Sequence, residues 1–227
     1  MTTRTHVLLD LDGTLSDSEP GILRSLQWAF EREGFPIPTD EQVRSVIGPP
    51  FEIGLPSIGI PDDALERVID TYRDRYTRLG AYENTLYPGI IEMLDALADL
   101  GLSLSIATAK PEQTAHPILD YFGISDRFDV RAGATLTSER RTKAQVIDHA
   151  LRELEIHADP DLVDHVIMVG DRDHDVHGAM HHGITCIGVT WGYGSVEELL
   201  TAGAVALAES PADVVDLVQQ SYRLHES

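Results

Sequence analysis

The stretch His6-Val7-Leu8-Leu9-Asp10-Leu11-Asp12-Gly13-Thr14-Leu15 decides how the chain is read: an apolar run, then two acids one residue apart, then a turn. Side chains alternate along a strand, so Asp10 and Asp12 fall on one side and can face a common ligand. Far along the chain a second apolar run, Val166-Ile167-Met168-Val169, leads into Gly170-Asp171-Arg172-Asp173-His174-Asp175. Carboxylates gathered at the ends of two parallel strands make an oxygen-rich pocket of the kind a hard divalent cation prefers.

Outward from Leu15 the spacing turns helical, with Ile22, Leu23, Leu26, Ala29 and Phe30 in phase. Thr39 and Gln42 predict a capping box, Gly48-Pro49-Pro50-Phe51 a breaker loop, and Leu65 to Leu79 a longer helix. From Pro88 helices (89–100, 112–122, 142–154, 175–182) alternate with strands (102–107, 128–132, 165–170, 185–189). Ser195 caps one further helix, and Pro211 to Tyr222 reads as the last. The alternation predicts an α/β fold, a Rossmann-like parallel sheet flanked by helices. Residues 1–15 and 88–227 would form that core, with the helical block 16–87 as an insertion.

At 227 residues the chain can bury one good core and a small appendage. Its 38 acidic and 17 basic residues leave a net charge of −21, which disfavours a nucleic-acid polymer or an anionic membrane as partner. An anionic substrate must then be attracted locally, against the field of the whole protein. The acidic excess is open to two readings, salt adaptation or a GC-rich source. Cys186 is alone, so no intramolecular disulfide is possible, and no leader pattern or transmembrane span is visible. The expectation is a cytoplasmic enzyme, with monomer and homodimer both open.

Of the basic residues fifteen are Arg and two are Lys, at positions 110 and 143. A chain that uses Arg almost everywhere keeps Lys where a compact ammonium serves better than a planar fork. Lys143 opens a helix-period run through Val146, Ile147, Ala150 and Leu151. A helix N-terminus is an unfavourable place for a cation, which points to a specific anionic partner. His174, His177 and His181 also recur at helical spacing. A carboxylate-rich site suits magnesium better than a transition metal, so these rings are expected on the helix exterior.

Asp10-Leu11-Asp12-Gly13-Thr14-Leu15 resembles the opening signature of the haloacid dehalogenase superfamily of phosphotransferases. The other three motifs of that superfamily follow in order: Thr108 in Ile106-Ala107-Thr108-Ala109-Lys110-Pro111, then Lys143, then Gly170-Asp171 with Asp175. The resemblance implies that 16–87 is a mobile helical cap over the active site. It implies Asp10 as nucleophile in an aspartyl-phosphate mechanism, Asp12 as acid and base, and Thr108 and Lys143 as stabilisers of the phosphoryl group. Thr108, Ala109, Lys110 and Lys143 would surround the substrate phosphate. The cap would add Arg44 and the loop Gly48 to Phe51. A magnesium ion would be held by Asp10, the Asp12 carbonyl and Asp171. For Asp175 two roles stand, ligation through water or holding Lys143 in place. Trp191 and Tyr193 are expected near the rim of the site.

Within the superfamily, dehalogenases proper lack an acid equivalent to Asp12. Phosphonoacetaldehyde hydrolase needs a cap lysine, and residues 16–87 contain no Lys. β-Phosphoglucomutase usually has Glu-Asp where this chain has Gly170-Asp171. Phosphoglycolate phosphatases commonly carry Lys-Pro-x-Pro at the third motif, whereas this chain reads Lys143-Ala144-Gln145-Val146. Thr142 to Ile147, Met168 to Val176 and Gly188 to Gly194 are similar to the 5′-nucleotidase-like subgroup. The expected substrate is a small phosphorylated metabolite such as a nucleoside monophosphate, with phosphoglycolate as the alternative. Two readings outside that enzyme class exist. A receiver-type signalling domain would be about half as long, with its phosphorylated Asp after a later strand, and a catalytically silent binding or regulatory descendant would have lost Asp10, Asp12 or Lys143.

Overall fold

The computed structural model describes residues 5–48, 51–136, 139–157 and 159–225. Along the chain run β1 (His6–Leu9), β2 (Ser16–Asp17), α1 (Glu19–Glu33), α2 (Asp40–Val46), α3 (Phe51–Ser57), α4 (Asp62–Arg78) and β3 (Thr85–Leu86). There follow α5 (Ile90–Asp99), β4 (Ser103–Pro111), α6 (Glu112–Tyr121), β5 (Val130–Ala134), α7 (Lys143–Glu153) and α8 (Pro160–Val163). The chain finishes with β6 (Val166–Gly170), α9 (Asp173–Met180), β7 (Thr185–Val189), α10 (Val196–Ala202), β8 (Ala206–Ala208) and α11 (Pro211–His225). Two compact units emerge, 1–15 with 86–227, and 16–85. The return to the first unit falls between 85 and 86, two residues before the expected boundary. Tyr87 already donates its N–H to the Leu15 carbonyl.

The first unit is built on a six-stranded sheet in the order β5-β4-β1-β6-β7-β8, every pairing parallel. Parallel strands covered by helices on both faces read as unbroken apolar runs, which is why Val7-Leu8-Leu9 and Val166 to Val169 are buried throughout. The chain leaves β1 toward β4 on one side and later returns to β6 on the other. The C-terminal end of β1 is therefore the switch point of the sheet, where open α/β folds place their ligands. On one face Val146, Ile147, Ala150 and Leu151 of α7 and Val176 and Ala179 of α9 pack against Leu8, Met168 and Cys186. β8 was not expected, β5 lies two residues later than its apolar pattern suggests, and α9 starts at Asp173.

The second unit is helical. Its core joins Leu26 and Phe30 of α1 to Val68, Tyr72 and Tyr76 of α4, with Phe51 edge-on to Tyr72 at 4.7 Å. Thr39 and Gln42 form the expected capping box of α2. Gly21 lies so near the Gly80 carbonyl that a Cβ would overlap it, and Arg75 clasps both Glu83 oxygens and Ser25 Oγ. Pro49 and Pro50 of the breaker loop lie outside the described residues. Helix α3 begins at Phe51 and carries Pro56 near its end, where the sequence pattern gave only a break. Among the described residues no helix is long and apolar enough to cross a membrane.

Candidate active site

Asp10 follows β1 directly, its N–H bonded to the Val169 carbonyl of β6, and it is 4% exposed. Lys143 is the first residue of α7, whose start is fixed by a capping box between Thr142 and Gln145. Its ammonium, 1% exposed, sits 2.9 Å from Asp10 Oδ1 and 2.6 Å from Asp175 Oδ1 and donates to the Ala107 carbonyl at 2.9 Å. The anionic partners that its helix position called for are thus two buried carboxylates. Burial alone would lower the Lys143 pKa, but Asp10 and Asp175 outweigh it and hold the ammonium above its ordinary value.

Asp175 is fully committed by its surroundings. Its Oδ2 accepts from the N–H groups of Asp171 and Arg172, each at 3.1 Å, while Oδ1 faces Lys143. Of the two roles open for this residue, the structure fits the second, holding Lys143. Burial raises the Asp175 pKa, but Lys143 and then His174 more than reverse that, so it is lowered. Asp171 is wholly buried, with Oδ1 accepting from Thr14 Oγ1 at 3.1 Å and Oδ2 from the Tyr193 N–H at 2.8 Å. Burial, then the charges of Asp175 and Asp10, push its pKa up to about 8. Asp10 is raised for the same first reason, partly offset by Lys143.

The strand β4 runs on to Pro111 because it is bulged. Thr108 lies opposite Gly133 and Pro111 opposite Ala134, so Ala109 and Lys110 are extra residues with no partner in register. Bulges re-aim side chains, and this one delivers Lys110 to Asp12, with Nζ 2.9 and 2.8 Å from its two oxygens. The Lys110 side chain is 6% exposed. Thr108 is buried, its Oγ1 accepting from the Lys110 N–H at 3.2 Å. Sequence reasoning put both lysines in the site but did not pair Lys110 with Asp12, since the pairing depends on the bulge.

Five glycines make room for these groups. A Cβ on Gly13 would overlap the Asp171 carboxylate, one on Gly192 would overlap both Asp171 and the Gly13 carbonyl, and one on Gly194 the Asp171 carbonyl. Gly170 and Gly178 do the same for Asp175 and Lys143. The spacing Gly192-Tyr193-Gly194 was the available signal for the Asp171 cradle. His174 departs from the expected exterior position. Its Nε2 is 3.9 Å from Asp175 Oδ1 and its Nδ1 3.7 Å from Asp173, whereas His177 and His181 are exposed. Arg44 and Gly48 belong to the second unit, where Arg44 is exposed and pairs with Glu19 at 2.8 Å.

Ligand atoms of Asp10, His174 and Asp175 lie within 4.8 Å of one another. Two of the three, Asp10 and Asp175, hold the Lys143 ammonium. Asp171 lies near enough to Asp10 and Asp175 for their charges to raise its pKa. Were Asp10, Asp12, Asp171 and Asp175 all ionised, they would set four negative charges against the two positive ones of Lys110 and Lys143. Such an excess is costly in a buried site, and burial together with the neighbouring carboxylates leaves Asp171 with a pKa of about 8. An all-oxygen donor set of this charge suits magnesium.

Residues 7–189 match the family of haloacid dehalogenase-like hydrolases. The tyrosine-protein kinase PtkA of Mycobacterium tuberculosis is 40% identical over 191 residues, which are 84% of this chain and 64% of that protein. The chain thus spans less than two thirds of that relative's length. A 5′-nucleotidase of Pseudomonas aeruginosa is 37% identical over 86% of both chains. The haloacid dehalogenase-like hydrolase SP0104 of Streptococcus pneumoniae superposes with a TM-score of 0.87 at 32% identity, over 96% of this chain and 99% of that one.

Proposed function

Since the chain belongs to the haloacid dehalogenase-like hydrolases, we propose that it is a magnesium-dependent phosphatase that hydrolyses small phosphate monoesters through an aspartyl-phosphate on Asp10, with nucleoside 5′-monophosphates as the substrate class. The observation that carries this reading is the buried ammonium of Lys143 beside Asp10 at the switch point of the sheet. A nucleophilic carboxylate divides a difficult displacement into formation and breakdown of an acyl phosphate. In the first step Asp10 attacks phosphorus and the ester P–O bond breaks. Asp12 gives the leaving alkoxide its proton, then removes one from the water that cleaves the acyl phosphate.

Lys143 neutralises charge on the transferring group and keeps Asp10 aligned, with Asp175 fixing Lys143 in turn. Thr108 offers its hydroxyl to a phosphoryl oxygen, and Ala109 and Lys110 border the same space. In the present arrangement both Asp12 oxygens accept from the Lys110 ammonium. Serving first as an acid requires Asp12 to exchange that ammonium for a proton, and a phosphate dianion is a suitable competitor for Lys110. Asp10, Asp171 and the Asp12 carbonyl would hold Mg2+, which supplies charge neutralisation to the phosphoryl oxygens. The unit 16–85 is, on this reading, the cap that selects the substrate, with Arg44 and Gly48 as contacts.

Likeness to the Pseudomonas 5′-nucleotidase over 86% of both chains favours nucleotides. Phosphoglycolate is the alternative, and the third motif speaks against it. The mycobacterial relative's name supports a second reading, in which a protein tyrosine hydroxyl replaces water as acceptor. The test is phosphate release from nucleoside 5′-monophosphates, phosphoglycolate, sugar phosphates and an aryl phosphate. We expect selective nucleotide turnover that EDTA and Asp10→Asn both abolish. Dominant phosphoglycolate turnover would move the chain to the alternative, and an Asp10→Asn protein with full magnesium-dependent activity would overturn the mechanism.

A further inference from the structure

Trp191 occupies the loop after β7, in Thr190-Trp191-Gly192-Tyr193-Gly194. A partly buried indole N–H needs an acceptor, and this one donates to the Thr14 carbonyl at 3.0 Å. Thr14 belongs to the loop after β1, and its hydroxyl donates to Asp171 Oδ1. The other oxygen, Oδ2, accepts from the N–H of Tyr193. The contacts close a ring: Trp191 to Thr14, Thr14 to Asp171, Asp171 to Tyr193, and through Gly192 back to Trp191. Gly192 sits inside it with no room for a side chain.

We infer that Trp191 is a positioning residue for Asp171, closing a hydrogen-bonded ring that fixes the carboxylate for a divalent cation. The inference rests on the reading that Asp171 is a metal ligand. Each carboxylate oxygen receives one donor, so each keeps a lone pair. Because the donors come from two separate loops, the orientation of Asp171 is only as firm as the tie between those loops, and Trp191 provides that tie. Outer partners of this kind typically change metal affinity by about 10- to 100-fold when lost.

The test is isothermal titration of the metal-free protein with Mg2+ alone, for wild type, Trp191→Phe, Thr14→Val and the double variant. Trp191→Phe keeps an aromatic face and removes only the N–H. We expect its Kd for Mg2+ to rise by about tenfold, with a similar rise for Thr14→Val. The double variant should lose less than the two losses combined, as members of one network do. Melting temperatures in EDTA separate positioning from folding, and Trp28→Phe, in the other unit, should keep the wild-type Kd. An unchanged Kd in Trp191→Phe overturns the inference, whether or not the fold is weakened, and so do fully additive losses. A wild-type protein that takes up no Mg2+ overturns the metal reading and the inference with it.

Discussion

Lys143, Asp10 and Asp175 are stable only as a set. Replacing Lys143 by Met leaves two buried carboxylates facing each other without their cation, and losing one partner of a buried pair costs about 3–5 kcal/mol. Urea denaturation of Lys143→Met should show a loss of that order, and adding Asp175→Asn should restore part of it. The carboxyl of Asp171 makes a different prediction, through pH. Its folded pKa of about 8 stands above its ordinary value of 3.8, first because it is buried and then because Asp175 and Asp10 are near. A carboxyl that holds its proton more tightly when folded adds stability that is complete below its unfolded pKa and is lost as pH rises through the folded one. On the proposed reading, a cation bound at Asp171 would replace that proton. The rise in Tm on adding Mg2+ should therefore be small near pH 5 and grow toward about pH 8, and Asp171→Asn should flatten the trend.

The bulge in β4 is the element on which the Asp12 contact depends. A Cβ on Gly133 would lie 2.7 Å from the Lys110 carbonyl and 3.1 Å from the Glu112 N–H nitrogen, both backbone atoms that cannot swing aside. Gly133→Ala should thus displace Lys110 from Asp12 and lower kcat while far-UV circular dichroism stays native, which steady-state kinetics and a spectrum would check together. This bulge also marks where sequence reading stopped. β1 and β6 were legible because strands buried on both faces leave continuous apolar runs. β4 was expected to end at 107, since Thr108, Ala109 and Lys110 continue neither an apolar run nor an alternation. Helix α3 was hidden by Gly54 and Pro56, and β8 by a length of three residues, too short to show a pattern. In the site, the pull of anions on Lys143 could be argued from its helix position alone. The hold of Lys110 on Asp12 depends on a bulge, the ring through Trp191 on two loops, and the inward His174 on where α9 begins, none of which spacing encodes.

Across the whole molecule the charge of −21 sets the response to salt. Self-repulsion of an acidic surface destabilises the compact state, and added ions screen it. The metal-free protein should show a Tm that climbs as KCl is added, and differential scanning calorimetry at a fixed pH would register a flat or falling curve if surface repulsion were unimportant. The use of only two lysines has a consequence of another kind. Their side chains are 6% and 1% exposed, and both ammonium groups are held by carboxylates. Apart from the α-amine, an acylating reagent meets no accessible amine on the native chain, yet each global opening uncovers two. Slow uptake of the label at positions 110 and 143, followed by mass spectrometry, would turn the protein into a counter of its own unfolding events.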